Sequence, residues 1–303
     1  MARYIVKRVL LAVLTLFLIC FITFFAMNAI PGGPFNGEKA KSPAVMAVLN
    51  ERYGLDQPVI VQFGNYMKNL LHGDLGVSLK TGRSIADTIR QSFVVSARIG
   101  LIAMLIAIVF GIVFGSIAAL WRNKLPDRLI VFFATLDTAM PSFVLASLLL
   151  LVFCIKLQWI PVWSSTEHNY ILPVISLSLY PMAYITRLTK TSMLDVLGQD
   201  YIRTARAKGV SGTKVIFKHA LRNALIPVIT YVGPMTAAIL TGSLVVEKIF
   251  TIGGLGSKFV DCITNRDYTM IMGTTIFLAS MIVIVNLVSD LLYKAVDPRV
   301  KLD

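Results

Sequence analysis

The residues that could do chemistry in this 303-residue chain are few, and they form no catalytic or metal-binding motif. Its cysteines and histidines lack the spacing of a zinc site or a disulfide framework; they are Cys20, Cys154, Cys262, His72, His168 and His219. The sequence has no HExxH motif and no GxxxxGK loop followed by Ser or Thr, and GGLG at 253–256 is merely glycine-rich. The sequence therefore argues against a membrane-embedded hydrolase and against ATP hydrolysis by this chain.

The composition is that of an integral membrane protein. Its residues are 56% hydrophobic and 15% charged, with a mean hydropathy of +0.74, whereas soluble domains have about 25% charged residues. The apolar residues form six runs, most of them long enough to cross a bilayer: 9–30, 99–120, 129–155, 171–185, 225–246 and 271–292. We therefore predict an all-α polytopic membrane protein with six transmembrane helices, of which the short, proline-containing fourth has the least definite limits.

The distribution of lysine and arginine predicts the orientation of these spans. If both termini lie on one side, that side holds 17 of the 29 basic residues and few acids, while the other 12 are mixed with nine acids on the opposite side. We therefore predict that both termini are cytoplasmic. The net charge of +13 is then explained by topology, and no nucleic-acid partner is expected.

The loop lengths divide the chain into three parts. Residues 1–30 hold the N-terminal tail and the first span, 31–97 form an external segment, and 98–303 form a five-helix core with a cytoplasmic loop at 190–226. In the external segment, Ser42-Pro43 favours a helix that Gly54 ends, and apolar residues at helical spacing favour a second helix from Pro58 to Gly73. These helices either form an external cap or surface layer, or simply pack against the spans.

The loop before the fifth span carries most of the polar signal. The stretch 200–227 contains six basic residues, and a short helix is predicted at 201–208, ended by Gly209 in a left-handed conformation. Ser211 or Thr213 could cap a second short helix that continues towards Pro227. The loop is either a docking knob or a solvated basic loop; a docking knob would use small residues for close approach and apolar anchors, namely Ala205, Ala207, Gly209, Ile202, Val215, Ile216 and Phe217.

Two motifs in this loop resemble a known family. RTARAKG at 203–209 and HALRNALIPV at 219–228 are similar to the cytoplasmic loop of inner-membrane permeases of binding-protein-dependent ABC importers, written Glu-Ala-Ala-x3-Gly-x9-Ile-x-Leu-Pro. Here Arg203 stands at the first position, and Arg222 replaces the proline; these departures resemble the oligopeptide/dipeptide/nickel branch. Further similar motifs are GDLGVS at 73–78, PSF at 141–143, GSLVVEKIFTIGGLG at 242–256, NRDY at 265–268 and DPRV at 297–300. PGGPFNGE at 31–38 resembles the oligopeptide type.

The resemblance implies a function and a set of partners. The chain would form half of a translocation path for peptides in a bacterial inner membrane, beside a homologous second permease, two ABC ATPase subunits and an extracytoplasmic peptide-binding protein. ATP and magnesium would bind the ATPase subunits, and no cofactor would bind this chain. The loop would insert into the ATPase, with Ala205 and Gly209 in contact and Arg203, Arg206 and Lys208 at an acidic rim. The matched coupling residues are Arg203, Thr204, Ala205, Arg206, Lys208, Gly209, His219 and Leu221.

Two alternatives remain open from the sequence. An importer of the same class could carry dipeptides or nickel. An ion-coupled secondary transporter would normally show an inverted repeat and more intramembrane carboxylates than Asp137 and Asp290. Asp137 is a candidate for the translocation path because an ionisable group inside a span is costly, although Thr135, Thr138 and Pro141 could satisfy it structurally. Glu247, Asp261 and Asp267 are expected outside, where they would be solvated or contact the binding protein.

Overall fold

The structure is a computed structural model that describes residues 2–30, 54–164 and 168–296. The described residues are largely helical, with one isolated antiparallel bridge between Val77 and Ser84. The helix predicted from Ser42, the motifs at 31–38 and 297–300 and the side chain of Asp290 lie outside this description.

The described helices follow one another along the chain in this order. The first six are α1 (Ala2–Ala29), α2 (Val59–Leu71), α3 (Ile85–Leu120), α4 (Leu125–Ala139), α5 (Ser142–Leu149, continued by the π-helical Leu150–Lys156) and α6 (Ile171–Leu197). After α6 come α7 (Asp200–Ala207) and α8, which consists of Gly212–Lys214, the π-helical Val215–Leu221 and Arg222–Ala224. The last four are α9 (Ile226–Leu240), α10 (Leu244–Ile249), α11 (Leu255–Thr264) and α12 (Tyr268–Val296).

Five helical segments are long and apolar enough to cross a membrane by themselves: Val6–Ala29, Ile85–Leu120, Ile171–Leu197, Ile226–Ile249 and Tyr268–Ser289. A sixth span arises if Leu125–Ala139 and Ser142–Lys156 are counted together, and these two helices are bent by 104° at their junction. The all-helical polytopic fold is therefore confirmed, with five spans or six.

The predicted third span at 129–155 is present as two helices rather than as one continuous helix. Pro141 stands at the break, where its ring removes a backbone donor and disfavours the helical conformation of the residue before it. Met140 accordingly has an extended backbone, with φ −90° and ψ 132°. The apolar run is long enough for one span, but α4 and α5 leave the break in different directions.

The predicted end of the fourth span at 185 is also wrong, because α6 continues to Leu197. Its polar C-terminal half stays helical because it buries one face: Thr186, Thr189 and Met193 are all at most 2% exposed. Pro173 falls in the first turn, where a missing N–H costs little. The first residues of the predicted loop at 190–226 therefore belong to α6.

The chain forms two compact units, one of residues 1–95 with 253–283 and the other of 96–252 with 284–303. In the first unit, α2 packs on α1 through a cluster of aromatic rings. The ring of Phe63 lies 5.4 Å from that of Phe24 and 5.6 Å from that of Phe21, centroid to centroid. The predicted second external helix is thus present, and it packs against the first span.

A buried carboxylate holds together the centre of the first unit. Asp267 is 4% exposed and accepts hydrogen bonds from Ser78 Oγ at 2.5 Å and from the amide of Leu79 at 3.1 Å. It also accepts from the amide of Met270 at 3.4 Å, in the first turn of α12. One side chain therefore caps α12 and fixes the segment that contains GDLGVS.

The expectation that Asp267 and Glu247 are exposed external charges is wrong. Asp267 is buried as described, and Glu247 in the second unit is 2% exposed and accepts a hydrogen bond from Ser96 Oγ at 2.6 Å. Both carboxylates pair with serines far away along the chain. A contact between sites so distant in sequence has no local signature.

Replacement of Asp267 by asparagine should destabilise the first unit. The amide group cannot accept from both Ser78 and Leu79, so a buried donor loses its partner at a cost of about 1–3 kcal/mol. Thermal unfolding of the detergent-purified protein should show a lower Tm for D267N. The matched control is D56N, because Asp56 is exposed and has no side-chain partner in the described part of the chain. Equal Tm values for both variants would contradict the role of Asp267.

Candidate docking loop and transport-path cavity

The loop between α6 and α9 begins with the predicted helix and turn. α7 spans Asp200–Ala207, and Gly209 follows with φ +74°. The amide of Gly209 donates to the carbonyl of Arg206 at 2.9 Å and that of Val210 donates to the carbonyl of Ala205 at 3.2 Å. These bonds close the helix through a left-handed residue, a conformation that glycine adopts without strain. The predicted end of the helix at a left-handed Gly209 is confirmed.

The second helical segment of the loop is present, but it is not a regular α-helix. Ser211 occupies the position before it, yet no side chain caps its first turn. The segment widens into a π-helix at Val215–Leu221, in which residues five apart lie on the same side. Val215 and Ala220 are accordingly both buried, at 1% and 0% exposed.

The small and apolar residues of the loop form its own core. Ile202, Ala205, Val215, Ala220 and Ala224 cluster with Met193 of α6 and Ala119 of α3. Ala205, Ile202 and Val215, which are expected to contact a partner, therefore have side chains that are turned inward, and their contact with a partner stays a prediction. They give the loop a rigid interior that is continuous with α6.

The outer surface of the loop is basic and carries one large apolar side chain. Phe217 is 66% exposed, and six basic residues of the same loop are also exposed: Arg203, Arg206, Lys208, Lys214, Lys218 and Arg222. Arg203 lies 3.6 Å from Asp200, and the other five have no acidic partner in the described part of the chain. Thr204 and Gly209 are also exposed, whereas His219 and Leu221 are half-buried. The exposed residues of the loop, namely Phe217, the six basic residues, Thr204 and Gly209, are together called the basic knob.

A buried ion pair ties α6 to the span before it. Asp127, in the first turn of α4, is 4% exposed and lies 2.5 Å from Lys190 Nζ of α6. Its other oxygen accepts the amide of Asn123 at 2.8 Å. Sequence reasoning assigned Lys190 only to the topology and did not single out Asp127. The pair fixes the helix that leads into the basic knob.

A glycine on α3, Gly115, permits close contact between α3 and α6. A Cβ atom at Gly115 would lie 2.5 Å from the carbonyl oxygen of Thr186 and 2.6 Å from Cβ of Thr189. Any larger residue would therefore push the two helices apart. Gly115 and the Asp127–Lys190 pair together hold α6 against its neighbours in the second unit.

Asp137 lies at a cavity, as a residue of a transport path would. The cavity has a volume of about 430 Å³, and apart from Asp137 and Thr186 its lining side chains are apolar, from α3, α4, α5 and α6 and from Met140. One carboxylate oxygen of Asp137 is buried and has no hydrogen-bond partner among the described residues. The hydroxyl of Thr138 donates instead to the carbonyls of Ala134 and Thr135. Thr138 therefore does not donate a hydrogen bond to the Asp137 carboxylate.

The cysteines have the environment of packing residues. Cys20 and Cys262 are buried, and burial raises the pKa of the Cys262 thiol to about 11. At neutral pH this thiol stays protonated and is a poor nucleophile. In the described ranges, no group of three or more His, Cys, Asp or Glu side chains could hold a metal ion.

These features define a multi-pass membrane transport subunit, with apolar spans, one span broken beside a cavity, and a compact basic knob between two others. The family model described as "Binding-protein-dependent transport system inner membrane component" matches residues 111–302. A second, "Binding-prot-dependent transport system membrane comp, N-term", matches residues 1–100. The chain therefore belongs to the inner-membrane permeases of binding-protein-dependent ABC transport systems, which are multi-pass proteins of the bacterial inner membrane.

Several curated relatives are similar over their full length. The chain is 46% identical to the dipeptide transport system permease protein DppB of Bacillus subtilis, covering 100% of this chain and 99% of the relative. It is 42% identical to the oligopeptide transport system permease protein OppB of Haemophilus influenzae, covering 99% and 100%. It is 40% identical to the glutathione transport system permease protein GsiC of Escherichia coli, covering 99% of each chain.

Solved structures support the fold. A chain of the MetNI methionine ABC transporter, in an inward-facing conformation, matches with a TM-score of 0.54 at 14% identity, over 69% of this chain and 95% of that one. A chain of an amino acid ABC transporter crystallised with histidines matches with a TM-score of 0.53, also at 14% identity, over 71% and 95%. At this identity the likeness concerns the fold alone.

Loss of Lys190 should destabilise the second unit strongly. K190M leaves the Asp127 carboxylate without its cation, and because the Lys190 side chain is 21% exposed and the Asn123 amide still donates to Asp127, the cost should be about 1–3 kcal/mol. The Tm of detergent-purified K190M should fall well below that of the wild type. The double variant D127N/K190M should recover most of the loss because no charge remains buried. A double variant as unstable as K190M would contradict the importance of the ion pair.

Proposed function

We propose that this chain is the membrane-spanning permease subunit of an ATP-driven peptide importer and forms half of its translocation path. The observation that carries the proposal is full-length similarity, at 40–46% identity, to permeases named for dipeptide, oligopeptide and glutathione transport. All three cargoes are short peptides, and the cavity at Asp137 in the second unit has one ionisable lining residue, Asp137 itself, which suits a charged peptide end. Nickel, the alternative cargo, favours imidazole and thiolate ligands, and the cavity at Asp137 has none among its lining residues.

The assembly that we propose contains a homologous second permease, two ABC ATPase subunits and an extracytoplasmic peptide-binding protein. ATP and magnesium bind the ATPase subunits, where hydrolysis takes place, and no cofactor binds this chain. Reconstitution of the permease with these partners in liposomes tests the proposal directly. ATP-dependent uptake of radiolabelled trialanine, without uptake of nickel, is the expected result, and nickel uptake alone would overturn the peptide assignment.

The distribution of basic residues supports a cytoplasmic position for both termini and for the basic knob. The knob suits an ATPase partner because it combines an exposed phenylalanine with six exposed basic residues, and an interface needs both an apolar anchor and charged groups at its rim. Gly209 lies on this surface, with open space where its Cβ would be. Since Ala205 is buried, contact with the partner falls instead to Phe217, Gly209 and the exposed charges.

Movement of the ATPase subunits would then be transmitted to the spans through the knob and the helices packed against it. The knob's core is shared with α6 and α3, and Lys190 of α6 pairs with Asp127 of α4. Displacement of the knob would therefore displace α6 as a body, as rigid-body switching between inward-facing and outward-facing states requires. In this scheme Asp137, at the end of α4, supplies a counter-charge for cationic groups of the cargo.

A bulky residue at Gly209 should uncouple ATP hydrolysis from transport. G209W places an indole where the partner would approach, so trialanine uptake should fall at least tenfold while ATP hydrolysis continues and membrane insertion is normal. The matched control is G209N, because asparagine tolerates the left-handed conformation and adds little bulk. Uptake and hydrolysis should remain coupled in G209N. Normal uptake by G209W would count against docking at this surface.

Neutralisation of Asp137 should lower transport of peptides with a free amino end. D137N removes a counter-charge from an apolar cavity, so trialanine uptake should fall about tenfold, equivalent to about 1.4 kcal/mol. Uptake of N-acetyl-trialanine should change little relative to its own wild-type value. D195N is the control because Asp195 is exposed at the far end of α6. Equal losses for both peptides would refute the counter-charge role.

A further inference from the structure

The break between α4 and α5 leaves backbone donors without partners. Pro141 occupies the position before α5, and no side chain caps the helix. The amides of Val144 and Leu145 donate to the carbonyl of Pro141, at 3.0 and 3.4 Å. The amides of Ser142 and Phe143 have no hydrogen-bond partner among the described residues. Such groups are tolerated within a membrane span only where they face protein or a cavity.

A cavity of about 570 Å³ lies at this break, in the second unit. Its walls come from the break itself, from α6, from α9 and from the start of α10; the lining residues that carry side-chain hydroxyls are Thr138, Ser142, Ser176, Tyr180 and Ser243. None of its lining residues is charged. The volume is in the range of small-ligand sites, about 300–1,000 Å³.

One hydroxyl of this cavity is buried without a partner. Ser176 is 6% exposed, and its hydroxyl oxygen makes no hydrogen bond in the described structure. Two residues further along α6, Ser178 is 2% exposed, but its hydroxyl donates to the carbonyl of Ile175 at 2.9 Å. An unpaired buried hydroxyl costs about 1–3 kcal/mol. The unpaired Ser176 is independent of the helix end and points to a polar ligand.

The donors at this cavity suit a carboxylate. The first amides of a helix carry a partial positive charge and bind anions, and broken membrane helices use such ends for the carboxylates of transported substrates. Hydroxyls donate readily to a carboxylate as well. Because no lysine or arginine lines the cavity, the anion would be held without a strong ion pair and could be released. The C-terminal end of α4, near which Asp137 lies, carries the partial negative charge of a helix end instead.

We propose that this cavity, at Ser142 and Ser176, binds the C-terminal carboxylate of the transported peptide during its passage. The proposal rests on the proposed function, since it assigns a part of the peptide to a part of the path. It places the amino end of the cargo towards Asp137 and the carboxyl end towards the start of α5. A substrate is then recognised by the two groups that every unmodified peptide shares.

The first experiment compares matched serine variants of α6 in the reconstituted importer. S176A removes the unpaired hydroxyl and should raise the KM for trialanine about five- to tenfold with little change in ATP hydrolysis. S178A removes a similarly buried hydroxyl that is hydrogen-bonded within the helix, and it should transport as the wild type does. Equal behaviour of S176A and S178A would overturn the carboxylate site. Absence of trialanine uptake by the wild type would instead overturn the proposed function.

The second experiment measures occupancy without transport. A cysteine at Ser142, which is exposed at the cavity, should be alkylated by N-ethylmaleimide, and an excess of trialanine should slow the reaction at least threefold. Trialanine amide, which lacks the carboxylate, should not protect. S147C is the control, because Ser147 is exposed on the same helix outside the cavity, and unmodified protein gives the background from the native thiols. Equal protection by the amide, or no protection by trialanine, would refute the proposal.

Discussion

Backbone hydrogen bonding in the bilayer is the constraint on which the rest of this structure depends. Within hydrocarbon every N–H and C=O must find a protein partner or a cavity, so the spans are helices, and any interruption has a location that can tolerate it. α3 and α12 meet this condition as long uninterrupted helices. The break at Pro141 meets it differently, because Met140, Pro141 and Ser142 line a cavity in the protein. Irregular backbone in this chain therefore marks a place where a polar ligand can approach.

The same reasoning explains the buried charges. Asp127, Glu247 and Asp267 are all at most 4% exposed, and each accepts hydrogen bonds from side chains or amides that are fixed by other elements. A carboxylate so placed is costly to leave unpaired, which makes its partner obligatory. Asp137 differs from these three because one of its oxygens has no partner in the described structure. No contact in the described structure offsets the cost of burying this oxygen, and a contact with the cargo would do so.

The sequence predicts those features that depend on local signals. The five spans formed by single helices each overlap a predicted apolar run, and the Gly209 turn follows from a glycine after a short polar helix. The continuation of α6 beyond residue 185 was missed because its Thr and Lys residues have low hydropathy, although Thr189 and Lys190 face neighbouring helices. Pro141 carried a local signal for the break, but the uniform apolarity of 129–155 concealed it. The inward position of Ala205 could not be predicted, since its neighbours Met193 and Ala119 come from other helices.

Two kinds of connection meet on α6, and their combination has a mechanical consequence. Towards its C-terminal end the helix is held by Lys190 and by the core of the basic knob, while nearer its start Ser176 and Pro181 line the cavity at the break. Close-packed helices move as bodies because interiors transmit displacement rather than absorb it. A shift of the knob would thus alter the distance between Ser176 and the start of α5. In the proposed assembly, the affinity of this cavity for a carboxylate would then depend on the state of the ATPase partner, so the motion that opens the path would also release the cargo.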